Sequence, residues 1–565
     1  MKRNLLFMSM LASLFMVGCS QEEITPNGED SGNGEVSTSY MAVNLISSDV
    51  TGKRASLGYE DGSTTENKVT SVRFYFFTAN GAIANVKLQG TSYVNFYDWT
   101  PKKEEQKDDK DDDDVESVLD ATIVINTKEG DKLPQMMVAV LNPTGLDNTS
   151  KSLNDLQAIV NDYASSSLTT EGKFVMFNAV YGNNGAEVCA ATITANNLTK
   201  TVDAAKANPV TIYVERSVAK VKVTLTQDAT SAGTDKLALK DKEGNDLKVD
   251  GEQVYLKIGN WSLIAETNNG RLVKKINPAW ASSWWNGTYR SFWAINSPSA
   301  QNKYNDYNAI STAIGSALYT NENALDYTDN NNQTTTLNRT KVILKGTLCK
   351  ENGSAFTIVR HLGAHFADTP SDTEFENLPT LKRSILSQLV ANEYNYYYSA
   401  DEGGKTVRKQ IDVDDLRIVI VDQLSLEDSQ NNCYVYAQLT EDAAKKTWYD
   451  SLDEAEGPLT DAANVINGNL KNKEVVDRTL VWKSGMTYYY YEIIHNGTGE
   501  NATKGVVRNH IYDTKVTKIA GLGTPVYDPE KEIYPEKPDP NDHFIAALIN
   551  ILSWRIVNND YALEW

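Results

Sequence analysis

The chain has 565 residues, of which 54 are basic and 75 acidic, for a formal net charge of −21. An acidic excess with no basic stripe disfavours binding to nucleic acid or an anionic membrane face, and the length exceeds what one hydrophobic core serves, so two or more domains are expected. A hydrophobic fraction of 41% with 29 Tyr and 10 Trp excludes a mainly disordered chain.

Lys2 and Arg3 precede an apolar stretch from Leu5 to Val17 that ends in Gly18-Cys19-Ser20. A basic start, a short apolar segment and a small residue before cysteine read as a lipoprotein signal peptide over residues 1–18. The stretch is short for a membrane-spanning helix, which needs about 20 apolar residues. Lipidation of Cys19 would tether the precursor to a membrane, each buried methylene contributing about 0.8 kcal/mol. The polar run from Gln21 to Ser39 then reads as a flexible tether. The other cysteines, Cys189, Cys349 and Cys433, show no CxxC spacing, so neither a zinc site nor a disulfide framework is indicated.

From Tyr40 the pattern turns to alternation, with Met41, Val43 and Leu45 on one face of a predicted strand. Thr51-Gly52-Lys53-Arg54 follows, and a basic pair between a strand and the loop-like stretch that begins after Ala55 is reachable by a trypsin-like protease, although an ordinary solvated Lys-Arg is the commoner case for such a pair. Further strands are predicted over Val69 to Phe77, Val118 to Asn126 and Gln135 to Leu141. Pro101 to Asp114 (PKKEEQKDDKDDDD) is a charged surface loop, and it lacks the Gly and distal Glu of an EF-type calcium loop. Asn154 to Ala164 has helical spacing.

Asn208-Pro209 breaks the chain, and a domain boundary is placed there. In Val210 to Leu225 the apolar parity shifts between Val214 and Val221, which predicts a bulge or two successive strands. Strands are then expected over Tyr255 to Leu263, Lys341 to Leu348, Ala355 to Val359, Leu416 to Val421, Tyr434 to Leu439 and Met486 to Ile494. Many short strands with turn-rich connections and few helices imply β-sandwiches.

No phosphate loop, GxSxG elbow or HExxH helix is present, so no catalytic residue is nominated and no cofactor is expected. His361 and His365 are spaced i, i+4 but flank a Gly without a carboxylate; a loop or surface role is expected rather than zinc. Trp280, Trp284, Trp285, Tyr289 and Trp293 either pack a long insertion or stack on sugar rings.

Near the end, Pro525 to Asp542 is proline- and charge-rich and reads as a stiff linker. The chain then turns apolar again from Phe544 to Trp565, with Leu552, Trp554 and Ile556 on one face, Ile549, Ile551 and Val557 on the other, and Tyr561, Leu563 and Trp565 beyond. Such a strand is unstable alone and must add to a sheet, either its own or a neighbour's.

Met16-Val-Gly-Cys19, Arg54, Val214-Glu-Arg-Ser-Val-Ala-Lys-Val221, Val506-Val-Arg-Asn-His-Ile-Tyr512 and Ser553-Trp-Arg-Ile-Val557 together resemble the minor-fimbrillin (Mfa-like) family of Bacteroidia-type (type V) fimbriae. The resemblance implies an all-β fold of two β-sandwich (transthyretin-like, Greek-key) domains with few short helices. They would span 55–209 and 210–524, after a lipid-anchored propeptide at 19–54 and before a linker and donor strand at 525–565. It further implies an outer-membrane lipoprotein precursor and cleavage after Arg54 by an arginine-specific or trypsin-like protease that releases Tyr40 to Leu45. The exposed groove would accept a neighbour's C-terminal strand, Ile549 to Trp565, giving a stalk subunit of a cell-surface fimbrium. Its partners would be other copies of itself, accessory fimbrial subunits and a host protein or glycan. A non-polymerising surface lipoprotein that binds carbohydrate is the alternative.

Overall fold

The computed structural model describes residues 37–48, 62–88, 93–102, 106–107, 115–127, 133–183, 186–226, 235–241, 243–276, 294–298, 300–324, 338–368, 378–420, 434–496, 503–535, 544–553 and 556–559. They are mostly β, with a few short helices. The N-terminal strands are β1 (Ser37–Ser48), β2 (Val72–Phe77), β3 (Val86–Leu88), β4 (Phe96–Trp99), β5 (Val115–Thr127), β6 (Met136–Leu141), β7 (Met176–Asn178) and β8 (Val210–Arg216). They belong to one sheet in the order β3-β5-β1-β8-β7-β6-β2-β4. The sheet turns back on itself where the segment leading into β3 reaches β2: the Ala84 N–H donates to the Phe76 carbonyl at 3.3 Å, and Ile83 forms a bridge with Phe77. The expected sandwich is therefore, in this part, a single sheet curled nearly shut.

Alternate residues of these strands, among them Met41, Val43, Phe74, Phe76, Ile123 and Ile212, fill the inside. The outer faces of β2 and β6 are covered as well: Tyr75, Phe77, Val138 and Val140 pack with Phe174 and with Leu156 of helix α1 (Leu153–Ala158). Burial on both faces explains why β2 and β6 read as continuous apolar runs rather than alternations. Helix α1 opens with a capping box between Ser152 and Asp155. It stops six residues short of the expected Ala164, because Val160–Asp162 instead pairs as a strand with Asn269–Arg271. The β-branched Ile159 and Val160 suit that extended path.

The parity shift after Val214 proves to be two strands. Ser217 alone separates β8 from β9 (Val218–Leu225). Further strands of the C-terminal sandwich include β10 (Tyr255–Ile264), β11 (Ala317–Asn321), β12 (Lys341–Cys349), β13 (Met486–Glu492), β14 (His510–Ala520), β15 (Thr524–Pro525), β16 (Phe544–Ser553) and β17 (Ile556–Asn559). One sheet runs β11-β9-β14-β16-β17 and the other includes β10-β12-β13-β15. Val221 and Val223 from the first meet Trp261, Leu344 and Tyr489 from the second in a shared core, as a two-layer sandwich requires.

Between β12 and β13 lies a further five-stranded sheet built from Thr357–His361, Ala364–Asp368, Leu416–Ile420, Tyr434–Leu439 and Thr479–Trp482. Two helices, Pro379–Ala391 and Ala462–Lys471, bury Leu381, Ile385, Leu389, Ile466 and Leu470 against it. The turn Lys483–Gly485 leads from this sheet into β13. A Cβ on Gly485 would overlap the Leu348 carbonyl oxygen, and its φ of +72° already favours glycine. Gly485→Ala is expected to destabilise the fold by about 1 to 3 kcal/mol, read as a lowered Tm, while Gly363→Ala at an open hairpin tip costs less.

Candidate assembly interface

The first strand occupies the middle of its sheet. It pairs antiparallel with β5, from Ser37 opposite Thr127 to Ser48 opposite Val115, and parallel with β8, Val43 opposite Val210 and Ile46 opposite Tyr213. Tyr40 also exchanges backbone hydrogen bonds with Thr199, at 2.7 and 2.9 Å. Met41, Val43 and Leu45 are buried, and at about 1.5 to 3 kcal/mol for each large apolar side chain the three hold the strand by on the order of 5 to 9 kcal/mol. Cys19, Arg54 and Ala55 lie outside the described residues.

Later in the chain, β16 lies antiparallel to β14, with His510 opposite Ser553 and Thr514 opposite Ile549, and a bulge between Val516 and Lys518. It folds back in a hairpin with β17, Ile551 opposite Val557 and Leu552 opposite Ile556. Ile549, Ile551, Leu552, Ile556 and Val557 thus sit together at one margin of the C-terminal sandwich, on the chain's own sheet, while Trp554, Tyr561 and Leu563 lie outside the described residues. The stretch expected to be a linker is docked in its first part. Pro525 pairs with Thr487, Val526 and Ile533 are buried, and the Ile533 N–H donates to the Asn305 carbonyl at 2.9 Å.

The N-terminal sheet and the C-terminal sandwich are joined through a buried polar seam. The Ser217 N–H and hydroxyl both donate to the Val175 carbonyl, at 2.9 and 2.7 Å. The Arg216 guanidinium donates to Asn509 Oδ1 at 3.3 Å and to Asn67, and the Asn509 N–H donates to the Val218 carbonyl at 2.7 Å. Arg508 forms an ion pair with Glu322 at 2.8 Å and donates to the carbonyls of Leu272 and Arg271. Lys274 meets Glu215 at 3.2 Å, both side chains almost fully buried. Lys220 meets Glu66 at 2.9 Å. Burial alone would raise the Glu66 carboxyl, but hydrogen bonds from Lys220, the Ser63 N–H and Tyr319 bring it below its ordinary value.

Two imidazoles complete the seam. His495 Nδ1 is 2.9 Å from Tyr512 Oη, His510 Nδ1 is 2.8 Å from the Arg508 carbonyl, and the rings meet edge to face at 4.9 Å. Arg216, Arg508 and Tyr512 belong to motifs visible in the sequence. Their partners do not: Glu322 is 186 residues from Arg508, and no local pattern announces it.

His361 and His365 do not form a site. They lie on the hairpin of Thr357–His361 and Ala364–Asp368, where Arg360 faces His365 and His361 faces Ala364, so the two rings point to opposite sides. His361 is buried in a strand, not looped or exposed as expected, with Nδ1 2.8 Å from Ser384 Oγ; His365 is exposed. Among the described residues no three His, Cys, Asp or Glu side chains converge as metal ligands, and no helix is long and apolar enough to cross a membrane. Cys189 and Cys349 are buried thiols, and burial pushes Cys189 up to about 11. The aromatic cluster from Trp280 to Trp293 lies outside the described residues.

The pairing of β14 with β16 falls inside a recognised sequence family. Residues 481–560 match Fimbrillin_C, the C-terminal domain of Major fimbrial subunit protein type IV (Fimbrillin). This fimbrillin-like segment contains β13 to β17. Among solved structures, the chain is similar to a candidate cell adhesion protein from Bacteroides eggerthii at 12% identity and a TM-score of 0.36, covering 93% of this chain and 98% of that one. A candidate cell adhesion protein from Parabacteroides distasonis has 12% identity and a TM-score of 0.33, with 92% and 100% covered. A fimbrial assembly protein from the same species has 11% identity and a TM-score of 0.28, with 55% and 82% covered. No curated protein matches the chain.

Removing one partner of a buried ion pair strands the other, at a cost of about 3 to 5 kcal/mol; Arg508→Met is therefore expected to lower stability by that amount in denaturant titration, and the double change with Glu322→Leu to recover part of it. Burial first, then the Lys274 charge, holds His495 down at about 3. Between that value and about 6.5 the unfolded chain binds a proton that the fold excludes, so stability falls by about 1.4 kcal/mol per unit as pH drops through this window. Calorimetry from neutral to acid pH is expected to show a falling Tm, and a shallower fall in His495→Gln.

Proposed function

We propose that this chain is a structural subunit of a cell-surface fimbria, a stalk pilin that polymerises when proteolysis frees its first strand and a neighbour's C-terminal strand takes the place. The observation that carries the reading is the placement of β1. It is central in a sheet and contributes three core side chains, yet it is the first of the described strands in chain order, just before Lys53-Arg54. A single cut there detaches a middle strand and leaves every other connection of the sheet intact.

The rest follows from sheet physics. A vacated middle position presents unpaired N–H and C=O groups of β5 and β8 and an apolar trough, and an extended apolar segment can satisfy both through strand addition. The fimbrillin-like match ends with such a segment. Head-to-tail addition is heterologous and does not close, so it yields a filament. The lipobox at Cys19 fits a precursor held at the outer membrane until it is cut, with an arginine-specific or trypsin-like protease, other copies of this chain and accessory subunits as partners. A role in adhesion follows from placement on the surface, and no catalytic role is assigned.

The test is to digest the lipid-free precursor (Cys19→Ser) briefly with trypsin, sequence the new N-terminus and follow size by gel and electron microscopy. Cleavage after Arg54 with growth of heat-labile ladders is expected, and a chain cut from Phe544 onward is expected to stay monomeric while remaining folded. Ladder formation by the truncated chain at the full-length yield would refute strand donation; a cut protein that never grows would favour a monomeric carbohydrate-binding lipoprotein.

A further inference from the structure

The first strand is covered on both faces along part of its length. Met41, Val43 and Leu45 fill the inside of the sheet, and Ser39, of the same parity, is buried with them. Ala42 has the opposite parity and faces outward, yet it is only 4% exposed. The helix Val202–Ala207 packs against β1 and β5 on that outer side, with Ala205 fully buried. Just before this helix, Thr199 exchanges its two backbone hydrogen bonds with Tyr40. Those bonds are to main chain and accept any residue with an N–H, whereas the place of Ala42 between strand and helix takes only a small side chain. An occupant of the β1 position therefore needs apolar residues at the places of Met41, Val43 and Leu45 and a small one at the place of Ala42.

Two stretches after Phe544 repeat the pattern of Met41-Ala-Val-Asn-Leu45, apolar residues at the first, third and fifth places with a small and then a polar residue between them: Leu552-Ser-Trp-Arg-Ile556 and Tyr561-Ala-Leu-Glu-Trp565. Each has an Asn two places ahead, Asn550 and Asn559, where the first strand has Ser39. The earlier stretch is engaged in the chain's own sheet. Leu552 pairs with Ile511 and Ser553 with His510, and Leu552 also stands opposite Ile556 across the hairpin, so these residues form one straight row only if the hairpin opens. The later stretch follows that hairpin, whose last pair is Asn559 with Ile549. We propose that Tyr561–Trp565 of a second copy takes the first strand's place in one register, with Tyr561 at the place of Met41, Ala562 at Ala42, Leu563 at Val43 and Trp565 at Leu45. This rests on the reading that the chain assembles by strand replacement, and it names the residues that carry it out. β16 and β17 then stay on their own sandwich, so donation breaks none of the donor's pairing, and the main chain of Asp560 meets Thr199 as Tyr40 does. The direction follows as well: laid the other way, the segment would bury the Glu564 carboxylate beneath the helix.

The experiment uses the full chain without lipid (Cys19→Ser), nicked by trypsin after Arg54, and reads the register by disulfide. Thr122 of β5 stands directly opposite Ala42, at the separation of about 5 Å that opposed strand residues share and a disulfide spans. Fibres of the Thr122→Cys, Ala562→Cys chain are expected to become covalently linked on oxidation, and those of the Thr122→Cys, Ser553→Cys chain to stay separable by heat. Ala562→Trp, too large for the place beneath the helix, is expected to slow growth by about tenfold or more, with the Tm of the uncut protein unchanged. A synthetic peptide of residues 557–565 tests the same point on the unsubstituted fold: it is expected to release the nicked first strand, followed by mass spectrometry, where a peptide of residues 548–556 does not. Linkage in the Ser553→Cys chain, release by the earlier peptide alone, or full-rate growth of Ala562→Trp would overturn the assignment and leave strand replacement standing. A nicked, unsubstituted chain that neither grows nor gives up its first strand to either peptide would overturn both.

Discussion

Ser217 is the constraint on which the architecture turns. One residue separates a strand of the nearly closed N-terminal sheet from a strand of the C-terminal sandwich, so the two cannot be oriented independently by a flexible connection. The buried Ser217 spends both its donors on the Val175 carbonyl. Around it the chain gathers charges that would be costly to bury singly: Arg216 with Asn509 and Asn67, Arg508 with Glu322, Lys274 with Glu215, Lys220 with Glu66. Such pairs add little net stability compared with apolar packing, but each is expensive to break. Their effect is to select one relative placement of the two parts, since any other strands a charge. The apolar packing agrees with them: Val218, Leu272 and Val273 join the same cluster as Tyr75 and Val140.

Much of the strand layout is legible in the sequence, because alternation is a direct imprint of one wet and one dry face. The strands expected around Met41 to Leu45, over Tyr434 to Leu439 and over Lys341 to Leu348 fall where their patterns put them, the last running one residue further. The misreadings share a cause, which is tertiary contact overriding local pattern. Val160 leaves a helical pattern to pair with Arg271. Pro525, read as linker, instead pairs with Thr487. The strand read over Met486 to Ile494 breaks after Glu492. The inserted sheet at 357–482 keeps the same short-strand grammar as its surroundings, so nothing local marks it as having a core of its own.

The candidate interface divides in the same way. Arg216, Arg508 and Tyr512 stand in the sequence segments that carry the family resemblance. Glu322, Lys274 and His495 are ordinary in theirs, and become meaningful only when three distant segments converge. The apolar tail was visible as an orphan strand with two possible hosts. In this structure it lies on its own β14, which is the arrangement that shields an otherwise sticky edge.

The order of pairing across the seam has a mechanical consequence. β1 borders β8, β8 continues through Ser217 into β9, β9 runs parallel to β14, and β14 borders β16. If a neighbour's strand held the β1 position, a pull that drew it out lengthwise would load its hydrogen bonds along the strand rather than across it. Hydrogen bonds loaded lengthwise must yield together, whereas those loaded crosswise open one after another like a zip. A filament with this pairing would resist flow with the strength of whole ladders, because an occupant of the β1 position is held on both sides, by four parallel pairs to β8 and eleven antiparallel pairs to β5.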